Sequence, residues 1–258
     1  MNNKSLKDIR QKIITSAFNA QEGHIPSSFS VLDLLYVIYD KFMDIDSIKE
    51  NNPCRNRFVL SKGHASLGLY AILIENGIIT SSELDNWATY ESILGGHPDT
   101  NKVIGVEAST GSLGHGFPIS VGMSLGYKIK NIDGRIITII GDGECNEGTV
   151  WESALLAVHH KLNNLTCIVD FNHSTDRALD LGNIENKFKS FGWKCITING
   201  HNHEEIYDAL NIHDTERPIA IIANTIKGYG CKPMEGDPSW HHKYPTKEEL
   251  PELLKLTY

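Results

Sequence analysis

The spacing of apolar residues changes near residue 57, and the change separates two styles of secondary structure. Before it, Ile9, Ile13 and Ala17 recur at helical spacing behind Ser5 and Asp8. Leu32, Leu35, Tyr36 and Tyr39 do the same behind Ser30 and Asp33. A small hydroxyl residue followed three positions on by an acid is an N-terminal capping signature, so each pair predicts a helix start. The N-terminal third, about 1–56, therefore reads as helical. Residues 57–60 (RFVL) are short, β-branched and aromatic, and run into Ser61-Lys62-Gly63-His64. That is the pattern of a strand delivering its C-terminal end into a glycine-bearing loop.

From residue 135 the alternation becomes regular. Residues 135–140 (RIITII) and 165–170 (LTCIVD) are buried-type apolar runs, and 193–198 and 219–223 are further strand patterns. Helical patterns occupy 147–161, 184–191 and 204–210. Strand and helix alternating with connectors of this length imply parallel strands joined by right-handed crossovers. The expected fold class is α/β, a mostly parallel sheet with helices on both faces. No repeat, low-complexity stretch or linker interrupts the chain, so 1–258 reads as one domain with a short surface helix in its tail, about 245–258.

Composition narrows the possible partners. A net charge of −8 argues against nucleic acid and anionic membranes, whose phosphates select clustered positive charge. No apolar run approaches the ~20 residues of a membrane span. Five cysteines without a CxxC fit a reduced cytoplasm better than a disulfide framework or a zinc site.

The chemistry concentrates after two of the apolar runs. Asp142 of Ile140-Gly141-Asp142-Gly143-Glu144 lies just past the first, and Asn172 of Asp170-Phe171-Asn172-His173-Ser174 just past the second. In a parallel sheet both loops emerge at the carboxyl edge, where open α/β sheets bind ligands. A carboxylate and an amide oxygen are hard donors suited to Mg²⁺ or Ca²⁺, with phosphate oxygens and water completing the shell. Gly141 and Gly143 would let a phosphate approach the backbone.

GDG, 28 residues and then Asn is similar to the thiamine-diphosphate binding signature. Around it the chain resembles the N-terminal, diphosphate-binding domain of transketolase over about residues 20 to 245. The matching pieces, in family order, are Gly23-His24, Lys62-Gly63-His64-Ala65, Gly96-His97-Pro98-Asp99, Thr110-Gly111-Ser112-Leu113-Gly114-His115-Gly116, the GDGECNEG block, Lys227-Gly228-Tyr229-Gly230 and Trp240-His241. The resemblance implies Mg²⁺ ligands at Asp142, Asn172 and the Ser174 carbonyl, with Ca²⁺ as a substitute. Gly143 would lie against the diphosphate, and Gly111, Leu113 and His64 would line the cofactor. Glu147 would be the family's buried glutamate between active sites.

The resemblance also implies that His24, His64, His97 and His241 surround the reacting carbon and bond sugar hydroxyls. Imidazole titrates near the working pH, which suits proton removal and return beside a carbonyl. His115 lies within a cofactor motif. His159, His160, His201, His203 and His213 read as solvated and receive no role. The family's pyrimidine-binding domain has no counterpart in the sequence. The expectation is therefore the N-terminal subunit of a split transketolase, paired two-plus-two with a C-terminal subunit carrying that domain and acting on a sugar or sugar phosphate. Two alternatives stand beside it: a component like the α-subunit of a 2-oxo acid dehydrogenase, and a non-catalytic scaffold of the same fold.

Overall fold

A computed structural model describes residues 5–176 and 179–258. The opening residues 1–4 of the predicted helical third lie outside the described residues. Helix α1 (Leu6–Ala20) starts where the pattern places it. Ser5 Oγ accepts the Asp8 N–H and the Asp8 carboxylate accepts the Ser5 N–H, completing the capping box.

Helix α2 (Ile25–Lys41) corrects the second prediction, because it begins five residues before Ser30. Pro26 sits in its first turn, where a fixed φ and a missing N–H cost nothing. His24 precedes it in the left-handed region, at φ 69°. Ser30 and Asp33 are therefore interior, buried helix positions. Their side chains serve tertiary contacts instead of a cap.

The chain continues through α3 (Ile45–Lys49), β1 (Arg57–Leu60), α4 (Ser66–Glu75), α5 (Ser82–Asp85), α6 (Gly116–Ile129), β2 (Ile136–Gly141), α7 (Gly148–His159) and β3 (Leu165–Phe171). It ends with α8 (Ile184–Ser190), β4 (Lys194–Asn199), α9 (His203–Leu210), β5 (Ile219–Asn224) and α10 (Leu250–Leu256). The five strands form one sheet in the order β1-β2-β3-β5-β4, every neighbouring pair parallel. The chain leaves β3 for the far edge and returns to place β5 between β3 and β4.

Alternation along the strands builds two cores. Ile137, Ile139, Ile168, Ile221 and Ala223 face the layer of α1, α2, α4 and α9. Ile136, Ile140, Cys167, Val169, Ala220 and Ile222 face the layer of α6, α7 and α8. With both faces covered, the inner strands β2, β3 and β5 are apolar at most positions, which is why they read as nearly continuous runs. Burying each such Ile or Val contributes roughly 1.5–3 kcal/mol. The tail helix is anchored to a greater degree than its pattern suggests. Leu253 is buried in the first core, and Gln11 Nε2 donates to the Leu254 carbonyl at 2.8 Å.

Candidate active site

The register sets Gly141 beside Asp170, so β2 and β3 end side by side at one edge. Asp142 then turns into a short 3₁₀ segment, Gly143–Asn146. Its Oδ1 accepts the Gly143 N–H at 2.7 Å and the Ser174 hydroxyl at 3.1 Å, and its Oδ2 accepts the Ser174 N–H at 2.8 Å. Asn172 is oriented from behind. Its amide donates to Asp170 Oδ2 at 2.9 Å and to Ser30 Oγ at 3.2 Å, which turns Oδ1 toward the same Ser174 N–H, 3.1 Å away. Oxygens from two strand tips thus converge on one backbone nitrogen. Burial, then the charge of Asp170, raises the Asp142 carboxyl above its ordinary range. A buried carboxylate in that state favours a cation beside it.

Beside these tips lies a cavity of about 300 Å³. His24, His64, Gly111, Leu113, Asp142, Gly143, Asn172, Ser174 and His241, all singled out in the sequence, line it. The His24 ring centroid lies 5.3 Å from that of His64 and 5.7 Å from that of His241. Burial, followed by the charges of His242 and His241, lowers His24 to about 4. Burial and Lys62 lower His64 to about 2. Burial and Lys227 lower His241 as well. These imidazoles are held neutral around pH 7 and can accept a hydrogen bond, but His24 and His64 are weaker bases than a free imidazole and do not titrate near pH 7 as the sequence suggested.

Two expected residues stand apart from the cavity lining. His97 is exposed at the rim, its ring packed on Gly111. Gly111 has φ +147°, and a Cβ there would come within 2.7 Å of His97 Cδ2. Glu147 is exposed at the start of α7 rather than buried. Gly143 is needed for space, since a Cβ would meet Thr175 Cγ2 at 2.7 Å.

Other residues at the site received no role from the sequence. Lys62 is buried and bonds Asp170. Lys227 approaches His241 Nδ1 at 3.0 Å, and among the described residues it has no carboxylate within ion-pair distance. Burial and Lys62 lower Lys227 to about 8. Buried Glu144 accepts from Ser61, from Gly114 N at 2.9 Å and from Gly141 N at 3.3 Å, tying the Gly111–Gly116 loop to the turn after β2. The signal available for the lysines was their position, each shortly after an apolar strand. His201 corrects another reading: its side chain is 5% exposed and bonded to Asp33, not solvated.

The lining also holds polar atoms without partners. His24 Nδ1, Ser27 Oγ and Thr175 Oγ1 are buried and unbonded, although all three residues line the cavity. Buried polar groups are normally satisfied, so these atoms mark a place for a polar ligand. Among the described residues, no group of three or more His, Cys, Asp or Glu is placed to hold a metal. One carboxylate with amide and backbone oxygens is the donor set that Mg²⁺ accepts when a ligand's phosphates supply the rest.

Fold and cavity together define a doubly wound α/β protein with a ligand site at the carboxyl edge of its sheet. Residues 1–255 match the family described as transketolase, thiamine diphosphate binding domain, and the chain belongs to that family. It is 34% identical over 253 residues to an apulose-4-phosphate transketolase subunit of Phocaeicola vulgatus, covering 95% of this chain and 90% of that one. It is 36% identical over 233 residues to the 6-deoxy-6-sulfo-D-fructose transketolase subunit SqwG of a Clostridium species, covering 88% and 85%. The solved transketolase of Campylobacter jejuni superposes with a TM-score of 0.84 at 28% identity, over 100% of this chain and 44% of that one. The chain thus spans under half of that structure's length. Among the described residues no helix is long and apolar enough to cross a membrane.

Proposed function

We propose that this chain is the diphosphate-binding subunit of a two-chain transketolase, transferring a two-carbon ketol unit from a ketose or its phosphate to an aldose or its phosphate. The observation that carries the reading is the convergence of Asp142 and Asn172 oxygens beside a cavity walled by His24, His64 and His241. Relatives of matching length bear the name of a transketolase subunit, which supports a partner chain carrying the pyrimidine-binding domain.

Thiamine diphosphate, when bound, supplies a place for the electron pair released as the ketose carbon–carbon bond breaks. The chain's own residues hold and orient. Asp142, Asn172 and the Ser174 carbonyl would hold Mg²⁺, with Ca²⁺ as a substitute. Gly143, Gly111 and Leu113 would bound the cofactor, and Lys227 would offset diphosphate charge. His24, His64 and His241, kept neutral, would take hydrogen bonds or protons from sugar hydroxyls, with His97 acting from the rim. Glu147 would become buried where a second copy completes a two-plus-two assembly. We place the enzyme in the cytoplasm, in keeping with its five free cysteines.

The experiment is calorimetric titration with thiamine diphosphate and Mg²⁺, followed by a ketol-transfer assay with and without the partner chain. Binding that requires the metal, and transfer that requires both chains, is the expected result. Absence of binding, or efficient transfer by this chain alone, would refute the proposal.

A further inference from the structure

Asp33 lies at the centre of a buried ionic cluster apart from the cavity. Its Oδ2 accepts from Arg10 Nη2 at 2.9 Å and from His201 Nδ1 at 3.0 Å, and its Oδ1 accepts from His203 Nε2 at 2.9 Å. The other nitrogen of His201 faces the opposite way, where Nε2 accepts the backbone N–H of Ile226 at 2.8 Å. With Nε2 accepting, the ring N–H of His201 is the one given to Asp33. Ile226 is the residue immediately before Lys227.

The neighbouring positions are fixed from the same side. Gly228 N donates to the Pro26 carbonyl at 3.0 Å. The Tyr229 ring stacks on His201 with centroids 3.6 Å apart and planes 15° from parallel, and the Arg10 guanidinium lies 5.5 Å from the same ring. Residues 226, 228 and 229 are thus each held, while Lys227 between them reaches into the cavity. A lysine half-removed from water, with no carboxylate partner among the described residues, gains solvation by swinging outward, and it also regains side-chain entropy. Fixing the backbone on both sides opposes that escape.

We infer that Asp33 and His201 are positioning residues, which hold Lys227 in the cavity through the Ile226 peptide. The contact geometry stands by itself; the consequence for ligand binding rests on the cofactor reading above. Partners behind a ligand-binding residue commonly govern its orientation in this way.

The test is a double-mutant cycle on the full chain purified with its partner subunit, read as thiamine diphosphate affinity in Mg²⁺ by calorimetry. His201→Phe keeps a flat ring but removes the acceptor, and is expected to weaken binding about tenfold, the scale of one lost hydrogen bond. His201→Gln can both accept and donate, and is expected to recover most of the affinity. In a Lys227→Met background His201→Phe should cost nothing further, because its effect passes through Lys227. An equal loss in both backgrounds, or no loss with Lys227 present, would overturn the inference. If His201→Phe does not fold, Asp33→Asn enters the same cycle with the same expectations. Should the unmutated assembly bind no cofactor, the cofactor reading falls. Amide exchange then decides the positioning separately: faster exchange at Ile226 in His201→Phe sustains it, and unchanged exchange overturns it.

Discussion

Asp170 and Asp142 end adjacent strands, both buried, yet the fold treats them in opposite ways. Asp170 is surrounded by Lys62, Ser30, Asn172 and Thr225. Burial alone would raise its carboxyl, but the Lys62 charge and the hydroxyl bonds outweigh that and hold it low. Asp142 receives only short bonds from Gly143 and Ser174, and burial with the Asp170 charge pushes it up. One aspartate is saturated by the protein. The other is held in place with no cation bonded to it among the described residues, a difference that supports the proposed role of Asp142 in holding a ligand.

The comparison can be broken most sharply by exchanging the expected losses. Asp170→Ala leaves Lys62 buried without a counterion, and should destabilise the fold by roughly 3–5 kcal/mol in urea unfolding. Asp142→Asn should leave the unfolding midpoint unchanged or slightly higher, because it removes an uncompensated charge. In the same variant, Mg²⁺-dependent cofactor affinity should fall about 100-fold, the scale of a lost charged contact. A stability loss at Asp142 matching that at Asp170 would erase the distinction.

A third buried aspartate sharpens it further. Burial would raise Asp33, but the hydrogen bonds from His201 and His203 and the charge of Arg10 bring it down to about 2. A folded-state value below the unfolded one adds stability above the unfolded pKa, and that stability is lost as pH falls through the folded one. The Asp33→Asn penalty should therefore be about 2 kcal/mol near pH 6 and shrink between about pH 4 and pH 2, measured as urea midpoints across pH. A penalty that stays constant over that window would contradict the assignment. The smallest effect belongs to Ser30→Ala, which removes the bond to Asp170 and the 3.2 Å bond from the Asn172 amide, while Asn172 keeps its 2.9 Å bond to Asp170. It should cost about 1 kcal/mol of unfolding free energy and leave cofactor affinity within twofold.

What the sequence made legible follows from how local each cause is. Strands β2, β3 and β5 announce themselves because both of their faces are covered, and α1 because Ser5 and Asp8 cap it within one turn. Asp142, Asn172 and three cavity histidines were legible through motif and strand position. Ser30 and Asp33 misled, since their partners lie 140 and 168 residues away at Asp170 and His201. For the same reason Lys62, Glu144 and Lys227 lacked a role, and His201 was taken for a surface group. Each is defined by a contact that exists only after the sheet has formed. The placement of β5 between β3 and β4, as distinct from its existence, has no mark in the hydrophobic pattern.

The most direct measurement is anomalous diffraction from crystals grown with thiamine diphosphate and Mn²⁺ in place of Mg²⁺. If Asp142, Asn172 and the Ser174 carbonyl hold the metal as proposed, a single strong peak is predicted beside those three oxygens. Bound cofactor with no metal between those oxygens, or a metal held elsewhere, would contradict it.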